Sequence, residues 1–181
     1  HQGSVLAALP QDFNFVGEKS ELIIGNNNVI RENVVINRAT HRGCKTVIGS
    51  DNFLMEGTHI SHDTVVGDRC VFGYGAKIAG DCVIDTGAVI SSNVVEKANT
   101  RVGSYAVVQA GTTFSRDVPP YIIAGGSPVG FHGVNTTIQK SAGVEEKTLK
   151  HIANAYRLLF YGQTSVFDAC IQIEQQVPSS T

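Results

Sequence analysis

VVGDRCVFGYGAKIAGDCVI, residues 65–84, carries Val66, Phe72, Ile78 and Ile84 at intervals of six. A helix repeats every 3.6 residues and drifts out of such a register, whereas short strands joined by tight turns hold it. Extended in both directions, the column runs Ile24, Ile30, Ile36, Arg42, Ile48, Leu54, Ile60 and on through Ile90, Glu96, Val102 and Val108 to Phe114. Only Arg42 and Glu96 break its apolar character. Two residues before the column stand mostly small side chains, among them Thr46, Thr58, Thr64, Cys70, Ala76, Cys82, Ala88, Thr100, Ala106 and Thr112; glycine often follows it, as at 25, 43, 49, 67, 73 and 103. Residues i and i−2 share one strand face, so the pattern predicts a mainly β protein, a parallel β-helix. The large and small columns fill its interior and glycine eases the turn.

The residue at i−1 then points outward. That column includes Val29, Val35, Val47, Phe53, Val65, Val71, Val83, Val89 and Val107. It is too apolar for a face in water and predicts cover by a symmetric partner. The 181 residues are 42% hydrophobic and 17% charged, with a formal net charge of −2. No Lys/Arg run offers a footprint for nucleic acid or an anionic membrane, and no apolar stretch reaches the roughly 20 residues of a bilayer span. No nucleic-acid partner and no membrane insertion are expected, and a cytoplasmic location is the default. Cys44, Cys70, Cys82 and Cys170 show no CxxC or CxxH spacing and read as reduced thiols, Cys70 and Cys82 as core filler.

After Phe114 the column stops at Asp117-Val-Pro-Pro120, where prolines cannot donate to a ladder. The division expected is a β-helix over 1–120 with a loop inserted at about 7–20, a connecting segment over 121–143, and helices over 144–181. Leu149, Ile152, Ala153, Tyr156, Leu159 and Phe160 line one face of a helix that Gly162 ends; Ser165 and Asp168 cap a second, which ends near Pro178. The chain opens on His1 in mid-pattern and reads as a fragment.

Between Gly57 and Gly67 runs Gly-Thr-His-Ile-Ser-His-Asp-Thr-Val-Val-Gly, which packs His59, His62 and Asp63 into five residues. His59, at i−1 to Ile60, faces outward, and His62 sits at or near a corner. Three chemistries compete for them. A zinc site would draw on His41, one 18-residue coil below His59, much as the γ-class carbonic anhydrases use outward histidines of such a coil. A solvated polar face would do no chemistry. A general base would use an imidazole held in one tautomer by a neighbouring carboxylate.

The periodicity resembles the hexapeptide-repeat acyltransferases, and this resemblance implies a left-handed β-helix with three strands and 18 residues per coil. Gly57-Thr-His-Ile-Ser-His-Asp63, Ala79-Gly80, Pro10-Gln-Asp12, Asp117-Val-Pro-Pro-Tyr121, Gly133-Val-Asn135 and Ala153-Asn-Ala-Tyr-Arg157 together resemble the UDP-N-acetylglucosamine O-acyltransferases, which open lipid A biosynthesis. Relative to that family the first coils and the last helix are missing. The resemblance implies a homotrimer with sites between subunits, no cofactor and no metal. A 3-hydroxyacyl group would pass from the phosphopantetheine thioester of acyl carrier protein to the 3-position of UDP-N-acetylglucosamine, a hydroxyl or, in some members, an amine. His62 would be the base, Asp63 its orienting partner and Gly80 N–H the oxyanion donor. Gln11, Asp12, His59, Asp81 and Asn135 would bind substrate. The chain departs from better-known members at Asn14, Asp81, Lys97-Ala98 and Ser141-Ala142. Those departures leave the diphosphate and acetamido contacts unassigned.

Overall fold

In the computed structural model, which describes residues 1–138 and 142–177, short parallel strands form three sheets. One face, here sheet A, stacks Val5–Ala8, Val35–Asn37, His59–Ile60, Lys77–Ile78, Val95–Glu96 and Thr113–Phe114. Sheet B stacks Glu21–Ile24, Lys45–Ile48, Val65–Val66, Val83–Ile84 and Arg101–Val102. Sheet C carries the remaining rungs from Val29–Ile30 to Val107–Val108. The chain visits A, B and C in turn, as the expected β-helix requires. Ile60, Val66, Phe72, Ile78, Ile84 and Ile90 are at most 1% exposed, as are Thr58, Thr64, Cys70, Ala76, Cys82 and Ala88 two residues before them. The large and small columns therefore share the interior, and burying each large side chain stabilises the coil by roughly 1.5–3 kcal/mol.

Glycine after the column works differently from the expectation. Gly25, Gly49, Gly67, Gly73 and Gly103 do not adopt positive φ; a Cβ on Gly49 would lie 2.5 Å from the Gly67 carbonyl oxygen of the next coil. The stacking distance between coils excludes the side chain there. The left-handed residue stands three positions after the column, at Asn27, Asn33, Asp51, Gly57, Asp63, Arg69, Gly75, Asp81, Gly87, Asn93, Asn99, Tyr105 and Gly111. Asparagine, aspartate and glycine predominate because they enter that region at least cost.

The 18-residue spacing holds from Lys45–Ile48 to Thr113–Phe114, where Val47 pairs with Val65 and Val95 with Thr113, and shortens to 16 at the last rung, where Val107 pairs with Ile123. Below Lys45–Ile48, Ile36 pairs with Ile60 and Ile24 with Ile48, a spacing of 24, because six residues are inserted between Val35–Asn37 and Lys45–Ile48. Arg42 lies in that insertion, exposed, and is no column residue. His41 consequently does not lie under His59; Val35 does. The second insertion separates Val5–Ala8 from Glu21–Ile24. Both occur on the same edge of the coil, between sheets A and B, which is also the edge where residues 61–64, 79–82 and 97–100 turn.

The coil continues past Pro119 and Pro120. Val118 bridges Val102, and Ile122–Gly125 adds a further rung to sheet C beside Val107–Val108. Gly130–Val134 then returns antiparallel and covers that edge. Helix α1, Glu146–Tyr161, is flanked by Glu145, which makes no side-chain capping bond, and by Gly162 at φ −67, so glycine serves close approach to the Leu158 carbonyl and not a left-handed cap. Its Tyr156 and Phe160 stack on Phe131. Leu149 and Leu158 are its buried residues, whereas Ala153 is exposed. Helix α2, Val166–Gln176, begins at Ser165, whose hydroxyl accepts from Asp168 N–H. Pro178 lies outside the described residues. No described helix is long and apolar enough to cross a membrane.

Glu96 occupies an interior position and is 1% exposed. Its Oε1 accepts from Thr100 Oγ1 at 2.9 Å, and Oε2 is without a partner among the described residues. Burial pushes the carboxyl up to about 8 from an ordinary 4.5. The unfolded chain therefore loses its proton at lower pH than the folded one, so the group's stabilisation is complete below about pH 4.5 and is lost as pH rises to about 8. Glu96→Gln, which keeps the acceptor for Thr100, is expected to raise stability at pH 8 by roughly 1–4 kcal/mol and to change it little at pH 4.5, measured by thermal or urea unfolding at both values.

Candidate active site

The A-to-B edge collects most of the chemistry-bearing residues singled out in the sequence. His62 stands at the corner after His59–Ile60 and is 8% exposed. Its Nδ1 lies 3.0 Å from Asp63 Oδ2. That oxygen also accepts from Thr40 N–H at 3.0 Å and from Thr40 Oγ1–H at 2.7 Å. Asp63 occupies the left-handed position of its corner, φ 58, and its own N–H donates to Thr46 Oγ1 at 2.9 Å. Corner geometry therefore sets where the carboxylate starts, and the side chain turns back to the adjacent ring.

On the other side of the imidazole, Nε2 is 3.7 Å from Asp12 Oδ2. This is too long for a direct hydrogen bond and close enough for electrostatic attraction to a protonated ring. Asp12 sits in the loop inserted between Val5–Ala8 and Glu21–Ile24, where its Oδ1 accepts from Asn14 N–H at 2.6 Å. Asn37 Nδ2 donates to the Leu9 carbonyl at 2.6 Å, and the Arg38 guanidinium lies 5.4 Å from the centre of the Phe15 ring. The end of strand Val35–Asn37 and the residue after it thus hold the Asp12 loop over the edge.

Gly80, one coil above, faces the ring. A Cβ there would come within 2.7 Å of His62 Nε2. Its φ is not positive, so the close approach of the imidazole, and not backbone conformation, demands glycine. Gly80 N–H donates to no acceptor among the described residues. An open pocket is lined by Gln11, His59, Ser61, His62, Lys77, Gly80, Glu96 and Lys97, among others. His59 is half-buried; burial first, then Lys77 and His62, lower its affinity for a proton and favour the neutral ring.

Two expected residues are not brought here. Asp81 is exposed at its corner and does not line the pocket, although its N–H donates to the His62 carbonyl at 3.1 Å. Asn135 lies on the edge between sheets B and C: its Nδ2 donates to the Tyr105 carbonyl at 2.8 Å, and its Oδ1 accepts from Thr137. Of the Ser141-Ala142 departure, Ser141 lies outside the described residues. Thr40 and Lys77 joined the set only through folding, and Lys97, already marked as a departure from the family pattern, lines the same pocket. The sequence signal for Thr40 was the break in period before Lys45, which marks a functional insertion without saying which of its residues works. No group of three His, Cys, Asp or Glu arranged to hold a metal occurs among the described residues, and the His41–His59 pair on which a zinc reading would start does not form.

Residues 45–80 match the profile of the bacterial transferase hexapeptide, six repeats, and residues 117–181 match that of UDP-N-acetylglucosamine O-acyltransferase, domain 2. Among solved structures, the UDP-N-acetylglucosamine acyltransferase of Bacteroides fragilis is 43% identical over 98% of this chain and 70% of its own, at a TM-score of 0.95. The Arabidopsis enzyme is 31% identical over 97% of this chain and 63% of its own, at 0.89. That of Francisella novicida is 29% identical over 96% and 64%, at 0.90. The chain spans about two thirds of the length of these relatives.

The contact between Gly80 and His62 makes a specific forecast. Gly80→Ala is expected to leave the coil folded at an overpacking cost of roughly 1–3 kcal/mol, while displacing the imidazole from Asp63. A crystal structure of the variant in which the 3.0 Å Nδ1–Oδ2 contact survives would contradict it.

Proposed function

The chain belongs to the UDP-N-acetylglucosamine acyltransferase family, and on that premise we propose that it moves a 3-hydroxyacyl group from acyl carrier protein to the 3-position of UDP-N-acetylglucosamine, as the opening step of lipid A biosynthesis. The observation that carries the chemistry is His62 fixed through Nδ1 to Asp63 while Nε2 faces a pocket beside Gly80. With Nδ1 donating to a carboxylate, Nε2 holds the lone pair. It takes the proton of the sugar 3-hydroxyl as that oxygen attacks the thioester carbonyl. Negative charge gathers on the former carbonyl oxygen, toward which Gly80 N–H is the donor in this reading. Collapse expels the pantetheine thiolate, which the imidazolium protonates. Asp63 on one side and Asp12 at 3.7 Å on the other stabilise that imidazolium. Gln11 and a neutral His59 border the same pocket and are assigned to substrate.

The assembly belongs to the same reading. Val29 and Val65 are each 43% exposed on the outward column, and a homotrimer burying that column removes the apolar surface from water. Asn135, on a different edge of the coil, contributes to substrate binding from a neighbouring copy. Asp81, exposed at its corner, likewise meets substrate only in the assembled site. The protein acts in the cytoplasm, where its acyl donor is made.

His62→Ala tests the base. Its kcat with acyl-carrier-protein thioester at saturating UDP-sugar is expected to fall roughly 10²–10⁴-fold, with trimeric sedimentation and UDP-sugar affinity nearly unchanged. Turnover within about threefold of wild type removes His62 from the mechanism.

A further inference from the structure

Asp63 is held by a residue that belongs to no repeat. Thr40 is 4% exposed and lies in the insertion before Lys45–Ile48, on the coil beneath His62. Its N–H and its hydroxyl both reach Asp63 Oδ2, at 3.0 and 2.7 Å, the same oxygen that meets His62 Nδ1 at 3.0 Å. We propose that Thr40 is a positioning residue of the active site, which fixes the Asp63 carboxylate as an acceptor and thereby sets the tautomer and orientation of His62. The proposal rests on His62 being the base.

Donors and acceptors decide where the proton sits. A backbone N–H can only donate, so Oδ2 must accept from Thr40, and the hydroxyl adds a second donor to that oxygen. An oxygen so engaged carries no proton to offer the ring. Nδ1 must therefore be the protonated nitrogen, and the lone pair is left at Nε2, facing the pocket. Without these bonds an aspartate side chain turns freely, because its terminal torsion is broad. A neutral imidazole that loses a fixed partner exchanges between tautomers, and in one of them Nε2 carries a proton and cannot act as a base. The same two bonds tie the insertion to the edge, so a merely structural role is the competing account.

Turnover and ring state separate the two. In the full chain, Thr40→Val keeps shape and the backbone N–H but loses the hydroxyl; Thr40→Ser keeps it. Thr40→Val is expected to lower kcat roughly 10- to 100-fold, a hydrogen bond to a charged group being the loss, with the KM for UDP-N-acetylglucosamine within about twofold. Thr40→Ser is expected to stay within about threefold of wild type in kcat. Nitrogen-15 spectra of histidine-labelled protein should show His62 protonated at Nδ1 in wild type and Thr40→Ser, and shifted in part toward the Nε2-protonated ring in Thr40→Val, where only the backbone N–H still engages Oδ2. Wild-type turnover in Thr40→Val overturns the proposal, as does a rise in KM with unchanged ring resonances, or a serine variant as impaired as valine. If Thr40→Val does not fold, the wild-type spectrum decides: protonation at Nε2 overturns the assignment. His62→Ala, assayed in parallel, distinguishes the two levels. An active His62→Ala sinks the base and this role with it, whereas an inactive one beside an active Thr40→Val sinks only Thr40.

Discussion

The strand peptide groups of the coil are bonded to the coil above or below, and this ladder sets what every position can be. The Ile60 rung bonds to the Ile78 rung, which bonds to the Glu96 rung, through strands of only two residues each. A side chain at i must fill an interior shared with its neighbours, and a residue at i+1 must often have no side chain at all. A Cβ at Gly49 or Gly103 would clash with the backbone of the next coil, so little latitude remains. A strand of such a ladder cannot be lengthened without slipping its register and turning the interior column outward. Extra residues are tolerated at corners alone.

The site follows from that restriction. Both insertions fall at the A-to-B edge, on consecutive coils, and the corners stacked above them carry His62-Asp63, Gly80 and Lys97. One insertion supplies Asp12 to the open side of the imidazole and the other supplies Thr40 to the closed side. Catalytic geometry is thus assembled from a rigid column and two deviations from it, consistent with positioning on regular elements being more exact than positioning on loops. The glycine above the ring completes the arrangement by leaving room for it.

Glu96 shows the opposite use of the same interior. It breaks the apolar column next to the pocket, with Oε1 bonded to Thr100, Oε2 without a partner among the described residues, and its carboxyl pushed up to about 8. Burial outweighs the hydrogen bond from Thr100, so the coil holds the neutral acid at neutral pH. Lys97 beside it is exposed and lines the same pocket.

The six-residue column, the small column two positions before it and the outward valines were legible in the chain alone, because a strict period leaves strand-and-corner stacking as the structure it fits. The HxxHD stretch and its placement at a corner were legible for the same reason, as were the first terminal helix from its 3.6-residue face and the second from its Ser165 cap. Sequence spacing could not reveal which coil lay beneath which once residues were inserted. Counting back 18 from His59 reaches His41, yet the partner is Val35, because an insertion adds length without adding a rung. Nor could it find Thr40, whose two bonds to Asp63 join positions 23 apart across that insertion, or the reason for Gly80, which is the ring stacked on it. Local pattern determined the coil, since each repeat is specified by its own few residues. Only folding decided which departures from the pattern meet, since that depends on the stacking of whole coils.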